Sequence, residues 1–264
     1  MEAYRRIADA VAAGESVALA TVVAVEGSAP REVGAKMVVY AGGRIEGTVG
    51  GGKMEALVRQ AAAEAIATGQ SRMVHYDLQD VEAGDPGICG GSVGVYIDVA
   101  VPSPTLLLVG AGHVAMPVAE VAQLCGFRVV VVDDRADMAS EERFPHAAER
   151  VVAGIVETVR AHPITPRTYV VIVTRGHALD EEVLREVIER PAAYIGMIGS
   201  LRKVHMVFQH LREAGIDEGL IERVYSPIGM DIGSQTPAEI AVSIVGEMIA
   251  VRHGRAVPGN RLGL

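Results

Sequence analysis

The chain has 264 residues and a formal net charge of −9; 50% of its residues are hydrophobic, 4% are aromatic and tryptophan is absent. That length allows one large domain or two of about 150 residues, with a core built from Val, Ile, Leu, Ala and Met. Acids and bases are interspersed without a basic stripe, which excludes a nucleic-acid or anionic-membrane surface, and no apolar run reaches the ~18 residues of a membrane span.

Two cysteines in unlike settings argue against a disulfide framework and fit a reducing, cytoplasmic compartment. The charged N-terminus lacks the apolar stretch of a signal peptide. In chain order, the pattern predicts a short amphipathic helix over 2–13 closed by Gly14, a β-branched strand over 16–25 and a glycine-containing loop over 26–34. Strands over 36–40 and 44–49 flank Ala41-Gly42-Gly43, a hairpin signature. Gly50-Gly51-Gly52 opens a helix over about 53–68, with Gly69 behind it. Strands over 72–78 and 92–99 are joined by the acidic loop 79–91. Connections in this half are mostly short and antiparallel. Val101-Pro102-Ser103-Pro104 then reads as a domain linker.

Beyond the linker the pattern changes to βα repetition. Thr105–Val109 is an apolar run of the kind a fully buried strand requires. It enters Gly110-Ala111-Gly112-His113-Val114-Ala115, which fits G-x-G-x-x-G/A with Ala in the third glycine position. A helical pattern follows through Cys125 to Gly126, and a second apolar run over 127–132 ends on Asp133-Asp134. That acid pair lies about 20 residues past the glycines, where an NAD-type site places a ribose-binding carboxylate. The stretch 136–148 reads as irregular or partly helical. A strand over 168–173 precedes Thr174-Arg175-Gly176-His177, then come a helix over 179–189, a strand over 193–198, the corner Gly199-Ser200 and a helix over 201–214. Thr236-Pro237-Ala238-Glu239 is a capping box with Pro at the first helical position. It opens a helix with Ile240, Ile244, Met248 and Val251 on one face, and 257–264 read as a tail. The expected fold is α/β: a Rossmann-like doubly wound parallel sheet over 105–256, preceded by a smaller α+β domain over 1–101.

Three strand-to-helix corners, 110–113, 174–177 and 198–202, are expected at the carboxyl edge of the sheet, where open α/β folds bind ligands. Each offers helix N-terminal N–H groups that favour anions. Gly110, Gly112, Gly199 and Ser200 are the candidate donors and caps, and Arg202 and Lys203 add positive charge beside the third corner. Any one corner is equally a plain helix cap with solvated cations; the three together point to a nucleotide- or phosphate-sized ligand. His113 and His177 sit at corners, where a histidine either transfers protons or bonds the backbone. His75, His205 and His210 read as structural, and no histidine pair has zinc spacing. Cys89, in Gly87-Ile88-Cys89-Gly90-Gly91, has neighbours that suit an accessible thiolate, whereas Cys125 follows an apolar helical stripe and reads as core. Three glycines directly before a helix look like an oxyanion cradle. Lys53 opposes the helix dipole there, which makes sense beside an anion or in full solvent.

With these residues placed, the sequence resembles the XdhC/CoxI family, accessory factors of xanthine dehydrogenase-type molybdenum hydroxylases. The resemblance rests on GSAPREVGAKMVV, GTVGGGKMEALV and GICGG in the first half, and on LLLVGAGHVAMPVAEVA, VVDDRADMASEERFP, YIGMIGSLRK and SPIGMDIGSQTPAEIAVSI in the second. It implies a chaperone without turnover of its own, which binds molybdenum cofactor (molybdopterin), protects it during sulfuration and hands it to the apo-hydroxylase. The family commonly has a cysteine after the three glycines; here that position is Lys53. Cys89 matches the family's Cys-Gly-Gly motif with Gly90 and Gly91, which makes it the candidate molybdenum ligand, near the glycine cradle. A cysteine desulfurase is an implied further partner.

The resemblance favours a molybdenum-cofactor maturation factor. An NAD(P)-dependent oxidoreductase, with Asp133 on the adenosine ribose and His113 or His177 in proton transfer, is the rival, and a module that senses a dinucleotide without chemistry is a third. The apolar face of the last helix exceeds what one sheet needs, and a homodimer is expected from it.

Overall fold

The computed structural model describes residues 1–27, 29–77 and 91–255. The chain divides into two compact units, Met1–Pro102 and Ser103–Leu264.

In the first unit, α1 (Glu2–Ala12) leads into β1 (Val17–Glu26), β2 (Lys36–Tyr40) and β3 (Ile45–Gly47); α2 (Gly52–Thr68), β4 (Arg72–Asp77) and β5 (Ser92–Ala100) follow. The strands form one antiparallel sheet in the order β3-β2-β1-β5-β4. Side chains alternate across a strand, and β1 uses both faces. Val17 and Leu19 pack with Ala10 on the α1 side. Ala18, Ala20 and Val22 pack with Val58, Ala62 and Ala65 of α2 on the other. The sheet is thus sandwiched by one helix per face, and the small alanines let α2 lie close.

The second unit runs β6 (Thr105–Val109), α3 (Ala115–Leu124), β7 (Arg128–Asp133), β8 (Glu149–Val152), α4 (Ile155–Ala161), β9 (Thr168–Ile172), α5 (His177–Val187), β10 (Tyr194–Met197), α6 (Leu201–Glu213), α7 (Glu218–Glu222), β11 (Val224–Tyr225) and α8 (Pro237–Arg252). All strand pairs are parallel, in the order β11-β10-β9-β6-β7-β8. That is the six-strand doubly wound order, with its reversal between β6 and β9. Leu106 and Leu108 face a cluster with α3 and α8, while Leu107 and Val109 face one with α4, α5 and α6. The expected α/β class and the Rossmann-like domain are what the structure has.

Four elements escape the sequence reading: β8, α4, α7 and β11. Each is short; β8 is an edge strand with no fully buried residue, and the seven residues of α4 span too few turns to show a period. Two other expectations need correction. The α8 face is not spare: Ile244 and Met248 are 0% exposed, and Ile240 and Val251 pack on the same cluster. That face therefore gives no ground for a homodimer. Cys125 is half-buried at the C-cap of α3, packed against the core cluster and not inside it. No helix among the described residues is long and apolar enough to cross a membrane.

Candidate functional site

The three corners of the second unit all fall at the carboxyl ends of parallel strands: β6 into α3, β9 into α5, and β10 into α6. The first two flank the point where strand order reverses and are pressed together. A Cβ on Gly110, which has φ +101, would lie 2.5 Å from the Val173 carbonyl oxygen and 2.9 Å from Thr174 Cα. Only glycine lets the corners approach so closely. Gly112 is open on its Cβ side, and His113 and His177 are exposed.

The acid pair at the end of β7 behaves differently from a ribose-binding pair. Asp133 is 1% exposed. Its Oδ2 accepts the Ala111 N–H at 2.8 Å, and both its oxygens accept from the Arg135 guanidinium, at 2.8 and 2.9 Å. Burial pushes its pKa up, but the Arg135 side chain, then the backbone N–H groups of Ala111 and Arg135, outweigh that and hold it down at about 2. Asp134 is exposed and forms a two-bond pair with Arg175, at 2.9 and 2.8 Å. Asp133 is therefore a clamp on the glycine corner, closed over by Arg135, and the expected presentation of its carboxylate to a ribose is not what the geometry provides. Sequence alone cannot show this, since nothing marks Arg135 as folding back two residues.

Lys203 also departs from expectation. Its charge is not offered to a ligand at the third corner, nor is the side chain solvated; it is 7% exposed and its ammonium sits between the Asp180 carboxylate and the Ile198 carbonyl oxygen, the latter at 2.8 Å. Asp180, 1% exposed, also accepts the Thr174 N–H at 3.1 Å and the Thr174 hydroxyl at 2.7 Å. The pair thereby bolts the β9 corner to the β10 corner. Ser200 caps α6 as expected, accepting the Lys203 N–H at 3.4 Å, and Arg202 is exposed.

Beside Gly199 lies a feature the sequence reading missed as a site. The segment between β11 and α8 is long (226–235), beyond the usual two to six residues of an α/β connection. It walls a cavity of about 330 Å³ against Ile198 and Gly199 at the end of β10 and Ile240 and Ser243 on α8. The wall is anchored from within: the Gly229 N–H donates to Glu247 at 3.0 Å, and the Tyr194 hydroxyl donates to the same carboxylate oxygen. Burial, then the Glu247 carboxylate, hold the Tyr194 phenol well above its ordinary pKa. A Cβ on Gly229 would meet the Ser243 hydroxyl at 2.4 Å, and one on Gly246 would meet Met230 at 2.5 Å. The sequence signal was the glycine-rich run SPIGMDIGS ahead of the capping box, which is formed as expected by Thr236 and Glu239.

In the first unit, Gly50, Gly51 and Gly52 all have positive φ, at +155, +79 and +57. Gly51 is the N-cap of α2 without a side-chain cap, and space around its Cβ position is open to 4 Å. Thr48 steadies the corner, accepting the Gly50 N–H at 3.2 Å and donating to Glu55 at 2.6 Å. Lys53 is exposed in the first turn. The open, uncapped helix start fits an anionic oxygen. Gly91 is buried just before β5, and Cys89 and Gly90 lie outside the described residues. Among the described residues no group of three or more His, Cys, Asp or Glu side chains is gathered to hold a metal ion.

Known proteins share both halves of this chain. Residues 106–248 match the XdhC Rossmann domain, and residues 10–77 match the XdhC and CoxI family. The chain is 37% identical over 245 residues, 92% of its length, to the uncharacterised protein YqeB of Escherichia coli K12, covering 44% of that protein. It is 29% identical to a probable xanthine dehydrogenase subunit of Bacillus subtilis 168, over 62% of this chain and 47% of that one. It spans less than half the length of either. The molybdenum cofactor insertion chaperone PaoD of Escherichia coli K12 is 25% identical, with 92% of this chain and 86% of that one covered. A crystal structure described as a xanthine dehydrogenase from Bacillus halodurans shares the fold, with a TM-score of 0.54, 23% identity and 97% of each chain covered.

Proposed function

This chain belongs to the XdhC and CoxI family, and from that premise we propose that it binds molybdenum cofactor as a maturation and insertion chaperone for a xanthine dehydrogenase-type molybdenum hydroxylase. The name of the relative PaoD supports the cofactor, and that of the Bacillus subtilis relative supports the class of recipient.

The single observation that carries this reading over a nicotinamide-dependent oxidoreductase is the state of Asp133. An NAD site needs a carboxylate offered to the adenosine ribose; here both Asp133 oxygens are engaged by Ala111 and Arg135, and Asp134 is paired with Arg175. What the corner retains is a helix start suited to anionic oxygens, which the phosphate arm of a pterin cofactor supplies. The cofactor brings oxygen-transfer chemistry to the recipient enzyme. The work of this chain is to bind it, exclude water and release it. Gly51 and Gly52 would hold anionic oxygens by their N–H groups, with the Gly50 N–H held by Thr48 to shape the turn and Lys53 adding charge, and Cys89 would give a thiolate to the metal. The apo-hydroxylase is the receiving partner in this reading, and a cysteine desulfurase the sulfur donor.

The test is retention. Purified protein mixed with free molybdenum cofactor and passed through a desalting column should elute with molybdenum and pterin in near-equal amounts, and Cys89→Ser should retain at least about tenfold less. A titration with NAD and NADP should show no binding below millimolar. Hydride-transfer turnover, or a wild type that retains no pterin, would overturn the reading.

A further inference from the structure

The cavity between the 226–235 segment and α8 carries chemistry that the chaperone reading does not assign. Its apolar wall is Ile198, Pro227, Ile228, Met230 and Ile240, and its polar lining includes Asp231 and Ser234. No Arg or Lys lines it. Asp231 is exposed and, among the described residues, has no hydrogen bond or ion pair; Ser234 is half-buried and likewise has none. Lys203, the cation nearest in sequence to Gly199 on the buried side of α6, is held by Asp180 and the Ile198 carbonyl.

These facts decide what the cavity takes. A phosphate would meet an unpaired carboxylate and no cation, so this part of the edge disfavours anions. An apolar wall with a hydrogen-bond acceptor at its rim suits a neutral flat ring that donates N–H groups outward. A volume of about 330 Å³ lies at the small end of ligand sites, roughly 300–1,000 Å³, and matches a bicyclic heterocycle better than a whole dinucleotide. The wall is also pre-formed, because Gly229 is bonded to Glu247 and Ile228 donates to the Met197 carbonyl at 3.2 Å.

We propose that this cavity is a subsite for a heterocycle with a 2-amino-4-oxopyrimidine edge, whose adjacent N–H donors pair with the Asp231 carboxylate while its ring packs on Pro227, Met230 and Ile240. The proposal rests on the cofactor-binding reading above and assigns the ring end of the ligand to the β10 edge, in a cavity that no Arg or Lys side chain lines. A pterin and a guanine base share this edge, so both are tested.

The experiment titrates the purified chain with neopterin, followed by its fluorescence, and separately with guanosine by calorimetry. Three proteins are compared: wild type, Asp231→Asn and Ser234→Phe, each first shown to melt as wild type does. Asp231→Asn keeps the shape but turns an N–H group toward the ring's donors, and should weaken neopterin at least about tenfold. Ser234→Phe fills the cavity and should abolish binding. Guanosine bound in place of neopterin, with the same dependence on Asp231, supports the edge chemistry and assigns the source to a base. Binding of neither compound to wild type, or equal binding to Asp231→Asn, overturns the proposal. Retention of whole molybdenum cofactor is measured on the same proteins. Retention unchanged in Asp231→Asn with no neopterin binding sinks the subsite alone, whereas neopterin binding with no cofactor retention by wild type sinks the chaperone reading alone.

Discussion

Asp133 reaches back 22 positions to accept the N–H of Ala111, at 2.8 Å, inside the turn that the glycines make. A residue placed by its spacing for a ligand is in fact the fastener of the ligand loop, and the arginine two positions later covers it.

A pH dependence follows. Folding lowers the Asp133 pKa from 3.8 to about 2, so the charged form is favoured in the native state. The resulting stability is fully present above pH ~4 and is lost as pH falls toward 2. It amounts to about 2 kcal/mol. Urea unfolding of wild type and Asp133→Asn at pH 7 and pH 2.5 should show a gap that narrows at the lower pH. A gap that stays constant would show that the carboxylate charge is not what matters.

The buried pair Lys203–Asp180 gives a second prediction. Lys203→Met leaves the Asp180 carboxylate buried at 1% exposure without its cation, and should cost about 3–5 kcal/mol in chemical denaturation. Lys203→Met with Asp180→Leu should recover most of that, because removing both partners leaves no orphaned charge. A double variant as unstable as the sum of the single ones would contradict the coupling.

At Gly110, alanine would need φ +101 and a Cβ only 2.5 Å from the Val173 carbonyl oxygen. The strained backbone costs about 1–3 kcal/mol, and the corners must also part. Gly110→Ala should therefore lower the melting temperature far more than Gly112→Ala, whose Cβ position is open to 4 Å. Equal losses would count against the close approach of β6 and β9.

The βα alternation and the glycine fingerprint made the doubly wound sheet legible, because buried parallel strands write themselves as unbroken apolar runs. Capping at Thr236 and Ser200 was equally plain, since a cap is a local matter. What could not be read is everything fixed by distance. Glu247 meets Gly229 and Tyr194 across 18 and 53 positions, and Lys203 meets Asp180 across 23. Polar residues that look solvated in a helical pattern are held inside by partners no window contains. The cavity at 226–235 was hidden for the same reason: its wall is a loop, and loops have no period to find.

The anchoring of that loop on a buried glutamate also shapes how quickly a molecule enters. Because Gly229 is tied to α8 through Glu247, the wall cannot swing as a flap without breaking a bond inside the domain. Entry is then a single encounter at an open mouth, with little ordering to slow it. Association should rise in proportion to ligand concentration without saturating, and the Gly229 amide should exchange with solvent equally slowly with the cavity full or empty.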